Sequence, residues 1–267
     1  DPLWSRGLGD VYKRQVWIIA ARVAWNGAGA RCHYRLPGLY WGKAMFYRHE
    51  RIWLSSQGWQ HACAAVEQVH LSDLERWAEN DWPLVVRRSD VGYEVETIAV
   101  GLALPPAAQG GKKIRIALSV HPSDIARHEA PLLFADAMTA VPAAWQAAFA
   151  SLSHDVAAAH LEFCVYGSLA LQAITGLPYL TATSDIDVLF YPTTHVQLQE
   201  GLHLLAKYAQ SLPLDGEIVF PSGHAVAWKE WAEAVKSPDK IKVMVKSMRT
   251  VSLLDVSALL HELEELS

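Results

Sequence analysis

One short region of the chain constrains its fold more than any other. Residues 163–166 form an apolar run that ends directly at Gly167 and Ser168, and a helical pattern follows. The next apolar segment carries Asp185 and Asp187 in alternation with apolar side chains, which is typical of a strand with one polar edge. The order predicts a strand, a tight turn, a helix and a second strand whose two aspartates project from the same face.

These residue types favour phosphate and metal chemistry. Gly167 would let the backbone approach a phosphate closely, and Ser168 would offer a hydroxyl group where the helix dipole favours an anion. Two carboxylates at the spacing of Asp185 and Asp187 can share a divalent ion, and Mg²⁺ prefers oxygen ligands of this kind. Each motif alone is common in structural roles, so the prediction depends on their order along the chain.

A two-metal site needs a further acid, and the next predicted strand of this type offers two. Asp215 and Glu217 lie two residues apart, so both side chains project from one face of that strand. The spacing does not separate them. All four acids are catalytic candidates, and the working assignment takes Asp185, Asp187 and Glu217 as the metal ligands.

Five residues are candidates for binding the phosphates of a substrate: Gly167, Ser168, Arg87, Arg88 and Lys246. The three cations lie on or beside apolar segments that predict strands. For these three, a solvated charge at a strand edge is at least as common a role as a phosphate contact.

The chain from residue 45 onward divides into two predicted domains. Residues 45–140 are a small β-rich domain in which residues 123–142 predict one helix, with Ser123 as its N-cap. The strands predicted in this domain lie at residues 83–89, 94–104 and 114–120.

Residues 141–267 are the predicted catalytic domain. Helices are predicted at residues 142–159, 167–176, 198–209 and 253–266. Strands are predicted at residues 163–166, 185–190, 215–220, 224–228 and 240–245, of which 215–220 and 224–228 form a hairpin.

The first 44 residues show neither a sustained helical period nor a strand period, and they open with Asp instead of Met. Residues 5–15 also resemble translated adapter sequence that recurs in assembled sequence data. We interpret residues 1–44 as a non-native or disordered extension and Met45 as the better start. A genuine, poorly ordered extension is the alternative interpretation.

Composition and charge exclude several classes of protein. The 267 residues include 51% hydrophobic and 19% charged side chains, which indicates a globular protein. A net charge of −5 argues against nucleic acid or an anionic membrane as partner. Three cysteines without a CxxC pair predict neither a disulfide framework nor a structural zinc site, and hence a reducing cytoplasm. The longest apolar stretch, residues 98–108, is too short to span a bilayer.

The order of motifs resembles the nucleotidyltransferase superfamily that includes DNA polymerase β. Its pattern is an apolar residue, Gly-Ser, a spacer, Asp-x-Asp and a later acid on a strand. The spacer here, sixteen residues between Ser168 and Asp185, is longer than in many members. Over a longer span the chain is similar to the holo-acyl-carrier-protein synthases of malonate decarboxylase. The similar segments are residues 83–88, 166–180, 183–189, 214–217 and 225–230.

This resemblance implies an α+β fold, with a nucleotidyltransferase-like mixed sheet and flanking helices behind a small β-rich N-terminal domain. It implies a phosphoribosyl-dephospho-CoA transferase. Such an enzyme moves 2′-(5″-phosphoribosyl)-3′-dephospho-CoA from its triphosphate form to a serine of the decarboxylase's acyl carrier protein and releases diphosphate. Asp185 and Asp187 would be the catalytic pair and would hold two Mg²⁺ ions. The expected partners are triphosphoribosyl-dephospho-CoA and the carrier protein, without nucleic acid or membrane.

Two alternative functions remain open at this point. The first is another nucleotidyltransferase, acting on a small molecule, a protein or an RNA end, although no basic patch suited to RNA is visible. The second is a non-catalytic nucleotide-binding module of the same fold. The presence of both Asp185 and Asp187 argues against the second alternative.

Overall fold

The computed structural model describes residues 46–89, 97–106, 113–237 and 241–264. Within these ranges the chain forms two sheets and seven α-helices. The strands are β1 (Arg51–Leu54), β2 (Leu84–Val86), β3 (Ile98–Ala103), β4 (Arg115–Val120), β5 (Ile125–Glu129), β6 (Leu132–Leu133), β7 (Phe163–Tyr166), β8 (Ile186–Phe190), β9 (Leu214–Val219), β10 (Ala225–Ala227), β11 (Lys242–Lys246) and β12 (Val251–Asp255). The helices are α1 (Ser56–Ala65), α2 (Leu71–Glu79), α3 (Ala143–Ala158), α4 (Gly167–Thr175), α5 (His195–Tyr208), α6 (Trp228–Ala234) and α7 (Val256–Leu260).

The first sheet is antiparallel and has the order β4-β3-β2-β1-β5. Strand β4 alternates exposed and buried residues, as expected for a strand that covers a core on one side. Ile52 and Leu84 of the sheet pack with Leu74 and Trp77 of α2 in one buried cluster. The Ser55 side chain caps α1 by accepting a hydrogen bond from the backbone N–H of Gly58.

The prediction of a helix over residues 123–142 is wrong. That segment instead contains β5, β6 and two short 3₁₀ turns, Pro122–Asp124 and Ala135–Ala140. Strand β5 pairs with the edge of β1, and these backbone hydrogen bonds outweigh the weak helical pattern of the local sequence.

The second sheet is mixed and has the order β12-β11-β10-β9-β8-β7-β6. Strands β8 and β9 are its parallel pair, joined by the crossover helix α5, whereas the other pairs are antiparallel. Phe149 and Leu152 of α3 pack with Leu198 and Leu205 of α5 in the core on one face of this sheet. The crossover brings Asp187 of β8 into register with Asp215 of β9.

The C-terminal prediction is partly wrong. Residues 251–255 form β12, paired with β11 from Lys242 to Lys246, and helix α7 begins only at Val256. The apolar residues of β12 fitted a helical period, so the sequence predicted a helix there. In the structure these residues are mostly exposed, and each of them pairs with a residue of β11.

The predicted α+β class with a small β-rich N-terminal region is confirmed. The first sheet takes its strands from residues 51–129 and the second from residues 132–255, while the division predicted at residue 140 stays a prediction. The extension predicted at residues 1–44 and the start of the strand predicted at residues 94–104 lie outside the described residues. In the part of the chain that the structure describes, the helices are too short or too polar to cross a membrane.

Candidate active site

At the junction of β7 and α4, which we call the Gly-Ser turn, the backbone allows a carboxylate to approach closely. Gly167 lies there with φ of +67°, a conformation that L side chains rarely adopt. A Cβ atom at this position would collide with the carboxylate of Asp187, which lies against the turn because Tyr166 and Asp187 are register partners. The glycine is therefore required both by the backbone conformation and by the close approach of Asp187.

The aspartates of β8 and β9 form a cluster in which negative charges repel one another. Burial raises the pKa of Asp187 to about 6, and Asp215 and Asp185 add to the rise. Asp215 is the in-register neighbour on the parallel strand, and Asp185 is exposed at the entrance to β8. These three predicted site residues are therefore brought together.

An open pocket of about 420 Å³ lies beside this cluster. Ser168 is buried at the start of α4, and its hydroxyl group accepts a hydrogen bond from the Lys113 ammonium group. The pocket is lined by Pro106, Lys113, Ser168, Thr181, Thr183, Ser184, Asp185 and Asp187. It therefore combines the Gly-Ser turn, two carboxylates, a cation and several hydroxyl groups.

Glu217, assigned above as a metal ligand, has different surroundings. It is 4% exposed and pairs with Arg48 at 3.0 Å and with Lys246 at 2.8 Å. The His49 ring lies 3.7 Å away. Burial alone would raise the pKa of this carboxyl, but His49, Arg48 and Lys246 hold it well below its usual range. The structure thus places Glu217 in an ion-pair cluster and not among the residues that line the pocket.

The cluster around Glu217 connects the segment before β1 to the catalytic strands. The His49 ring packs against the Tyr166 ring at a tilt of 40°, with centroids 4.1 Å apart, directly before the Gly-Ser turn. The His49 backbone N–H donates to the Val86 carbonyl oxygen at 2.9 Å, which anchors the segment to the first sheet. Burial lowers the pKa of His49, so its ring favours the neutral form.

The three predicted phosphate-binding cations do not line the pocket. Arg87 donates from Nε to the Val100 carbonyl oxygen at 3.2 Å, within the first sheet. Arg88 is exposed next to it, and Lys246 is paired with Glu217. Their assignment as phosphate contacts stays a prediction without geometric support in this structure.

Two cations near the acids were missed by the sequence-based assignment. Lys113 comes shortly after Gly110 and Gly111 in the sequence and precedes β4. Its place between a predicted turn and a predicted strand was the only sequence feature that could have marked it as a candidate. Arg48 carried no such signal, because its partner Glu217 lies 169 residues away in the sequence.

The donor set fits Mg²⁺ bound together with substrate phosphates. Within the described ranges, no three His, Cys, Asp or Glu side chains form a ready-made metal cage. Mg²⁺ commonly uses one or two carboxylates and completes its octahedron with phosphate oxygens and water. Asp185, Asp187 and Asp215 offer hard oxygen ligands whose mutual repulsion a divalent ion would relieve.

Two family models match adjacent parts of the chain. Residues 47–131 match the phosphoribosyl-dephospho-CoA transferase MdcG N-terminal domain, and residues 132–257 match the corresponding C-terminal domain. No solved structure matches the chain at a significant level.

Curated relatives agree with the family models. A phosphoribosyl-dephospho-CoA transferase of Xanthomonas campestris pv. campestris is 36% identical over 222 residues, which cover 80% of this chain and 97% of the relative. The one of Bradyrhizobium diazoefficiens is 34% identical over 211 residues, covering 78% and 89%. The chain therefore belongs to the phosphoribosyl-dephospho-CoA transferase family and is a transferase enzyme.

Proposed function

We propose that this enzyme transfers 2′-(5″-phosphoribosyl)-3′-dephospho-CoA from its triphosphate precursor to a serine of the malonate decarboxylase acyl carrier protein. The observation that carries the proposal is the aspartate cluster held against the Gly167 turn, at the edge of a pocket that also contains Ser168. Family membership supports the class of group transferred, and the residues that line the pocket are suited to a phosphoryl-group transfer.

The reaction joins the carrier serine to the α-phosphorus of the donor. The serine Oγ–phosphorus bond forms while the bond from the α-phosphorus to the bridging oxygen breaks, and diphosphate leaves with that electron pair. Such a transfer depends on positioning and on stabilisation of charge more than on covalent catalysis by the protein.

Each acid has a proposed role in this transfer. Asp185, Asp187 and Asp215 would hold the magnesium, which when bound neutralises the phosphate charge and orients the reacting oxygens. Asp215, 45% exposed at the edge of the cluster, would accept the serine proton and release it to solvent. Glu217 is unsuited to that role because its cation partners stabilise the ionised form and lower its basicity.

The Gly-Ser turn would hold the leaving group. The backbone N–H groups at the start of α4 and the Ser168 hydroxyl are donors at a helix N-terminus, where negative charge is favoured. We therefore place the diphosphate of the donor at this end of the pocket. The acceptor serine would approach from the side of Asp215.

The test is transfer itself. The full chain is incubated with triphosphoribosyl-dephospho-CoA, Mg²⁺ and the apo carrier protein, and the mass of the carrier is measured by intact-protein mass spectrometry. We expect one phosphoribosyl-dephospho-CoA adduct per carrier and one diphosphate released per adduct, with no adduct on a carrier whose serine is replaced by Ala. An unmodified wild-type carrier, or nucleotide addition to tRNA in a parallel reaction, would overturn the proposal.

A further inference from the structure

The pocket beside the aspartates contains a cation from outside the catalytic sheet. Lys113 precedes β4 of the first sheet, within the region that matches the N-terminal family model. Its ammonium group nevertheless donates to Ser168, which belongs to the C-terminal region together with Asp187. The pocket therefore takes residues from both family regions.

The position of Lys113 suits a polyphosphate. An ammonium group has three protons, so the hydrogen bond to Ser168 leaves two for other acceptors. Its charge lies close enough to Asp187 to oppose the rise in the pKa of that carboxyl. A ligand bridging the aspartates and the lysine would need metal-bound oxygens at one end and free anionic oxygens at the other, as a magnesium–triphosphate complex has.

Hydroxyl groups extend the same side of the pocket. Thr181, Thr183 and Ser184 line it, and they lie in the loop that leads into β8. The loop is held by its own hydrogen bonds, since the Thr181 backbone N–H donates to Ser184 Oγ at 2.9 Å. Neutral donors beside one fixed cation are a common arrangement for holding phosphate oxygens.

We propose that Lys113 binds the terminal phosphates of the triphosphate donor, so that a residue of the N-terminal family region completes the leaving-group site in the C-terminal region. The inference rests on the proposed function, which identifies the donor as a triphosphate. Negative charge grows on the diphosphate as its bond to the α-phosphorus breaks. Lys113 therefore stabilises the transition state as well as the bound donor.

The experiment measures triphosphate affinity and transfer separately. Binding of inorganic triphosphate with Mg²⁺ is titrated calorimetrically on the full chain, and transfer kinetics are recorded with donor and carrier varied in turn. Lys113→Ala should weaken triphosphate binding about tenfold or more, the scale of one hydrogen bond between charged groups. It should also raise the donor KM, lower kcat, weaken inhibition by diphosphate and leave the carrier KM unchanged.

Matched variants separate binding from structure. Lys236→Ala removes an equivalent charge from an exposed pair with Glu233 and should change none of these values. Lys113→Arg keeps the charge and should retain most of the triphosphate affinity. Lys113→Gln keeps most of the length of the side chain and replaces the Ala variant if that one does not fold.

The two proposals fail in different ways. If the wild-type chain binds triphosphate and Lys113→Gln loses that binding, the inference stands even when no carrier is modified. If the carrier is modified while Lys113→Ala or Lys113→Gln keeps wild-type triphosphate affinity and donor KM, the function stands and the inference is overturned. A wild-type chain with no affinity for magnesium triphosphate also overturns the inference.

Discussion

Strand β9 carries two carboxylates with opposite surroundings. Asp215 is 45% exposed and lies in register beside Asp187. Glu217, two residues further along, is 4% exposed and pairs with Arg48 and Lys246. Burial and the neighbouring aspartates raise the pKa of Asp187 to about 6, whereas the cations around Glu217 hold its pKa below the usual range.

The difference shows that compensation by cations, more than position on a strand, decides what a carboxylate can do. Glu217 would have to give up buried ion pairs to bind a metal, and breaking such pairs costs about 3–5 kcal/mol. Asp215 pairs with Lys229 at 3.5 Å, and this exposed pair stabilises little. On this proposal the aspartates would gain from a divalent ion, and Glu217 would not.

The largest expected effect is on the aspartate side of this comparison. Asp187→Asn should lower transfer by about a hundredfold or more, because it removes one of the carboxylates that would hold the magnesium against the reacting phosphate. The fold should be retained, since the substitution relieves repulsion within the cluster. Transfer rate at saturating Mg²⁺ is measured together with circular dichroism, and near wild-type turnover in a folded variant would refute the assignment.

The second prediction concerns the paired side. Glu217→Gln should lower the free energy of unfolding by about 2–4 kcal/mol, because Arg48 and Lys246 lose their shared partner. This corresponds to a fall in Tm of several degrees for a domain of this size. Below the transition, transfer should stay within about tenfold of wild type, the range we allow for disturbed positioning.

The control for Glu217 is Glu233→Gln, which breaks the exposed pair with Lys236. It should change the free energy of unfolding by less than about 0.5 kcal/mol. A Glu217→Gln variant that keeps the wild-type Tm but loses transfer as fully as Asp187→Asn would reverse the comparison and return Glu217 to the metal site.

The third prediction tests the close approach of Asp187 to the turn. Gly167→Ala should lower transfer by about tenfold or more, because the new Cβ displaces the carboxylate of Asp187 in addition to straining the backbone. Gly176 provides a matched control at the other end of α4, with φ of +71° and no neighbouring atom within 4 Å of the place that a Cβ would take. Gly176→Ala should cost about 1 kcal/mol of stability and leave transfer unchanged; equal activity losses in both variants would refute the steric argument.

The smallest expected effect is on the pH dependence of stability, and it concerns Glu50, a partly buried carboxyl group outside both clusters. Burial raises the pKa of Glu50 to about 7, although the Tyr47 backbone N–H donates to it at 3.0 Å. A raised pKa in the folded state means that its contribution to stability is present at low pH and is lost as pH rises through about 7. Between about pH 5.5 and pH 8 the wild-type free energy of unfolding should therefore fall by about 1–2 kcal/mol more than that of Glu50→Gln. Identical pH dependence in urea titrations of the two proteins would contradict this prediction.

Local sequence patterns predicted most of the catalytic domain. Helix α3, strand β7, helix α4 and strand β8 follow in the expected order because their apolar periods are set by residues close in the chain. Strands β5 and β12 were not predicted. Both depend on pairing with another strand, and a partner strand contributes nothing to the local period.

In the candidate site, too, the features set by local sequence were predicted and those set by distant residues were not. Gly167, Ser168, Asp185 and Asp187 were identified from the order of motifs, and the structure places them together. The choice between Asp215 and Glu217 was left open because both project from one face of a strand. The cations that distinguish them come from distant segments, as Arg48 shows by its separation of 169 residues from Glu217.

The sequence by itself determined the chemistry that this protein can carry: a glycine that lets a phosphate approach the backbone closely, and acids spaced to project together. Only the tertiary structure decided how those acids are used. It placed Arg48 and Lys246 against Glu217, and it placed Lys113 against Ser168 across 55 residues of chain. The physical reason is that the environment of a charge depends on all groups within a few ångströms, and folding draws those groups from both sheets.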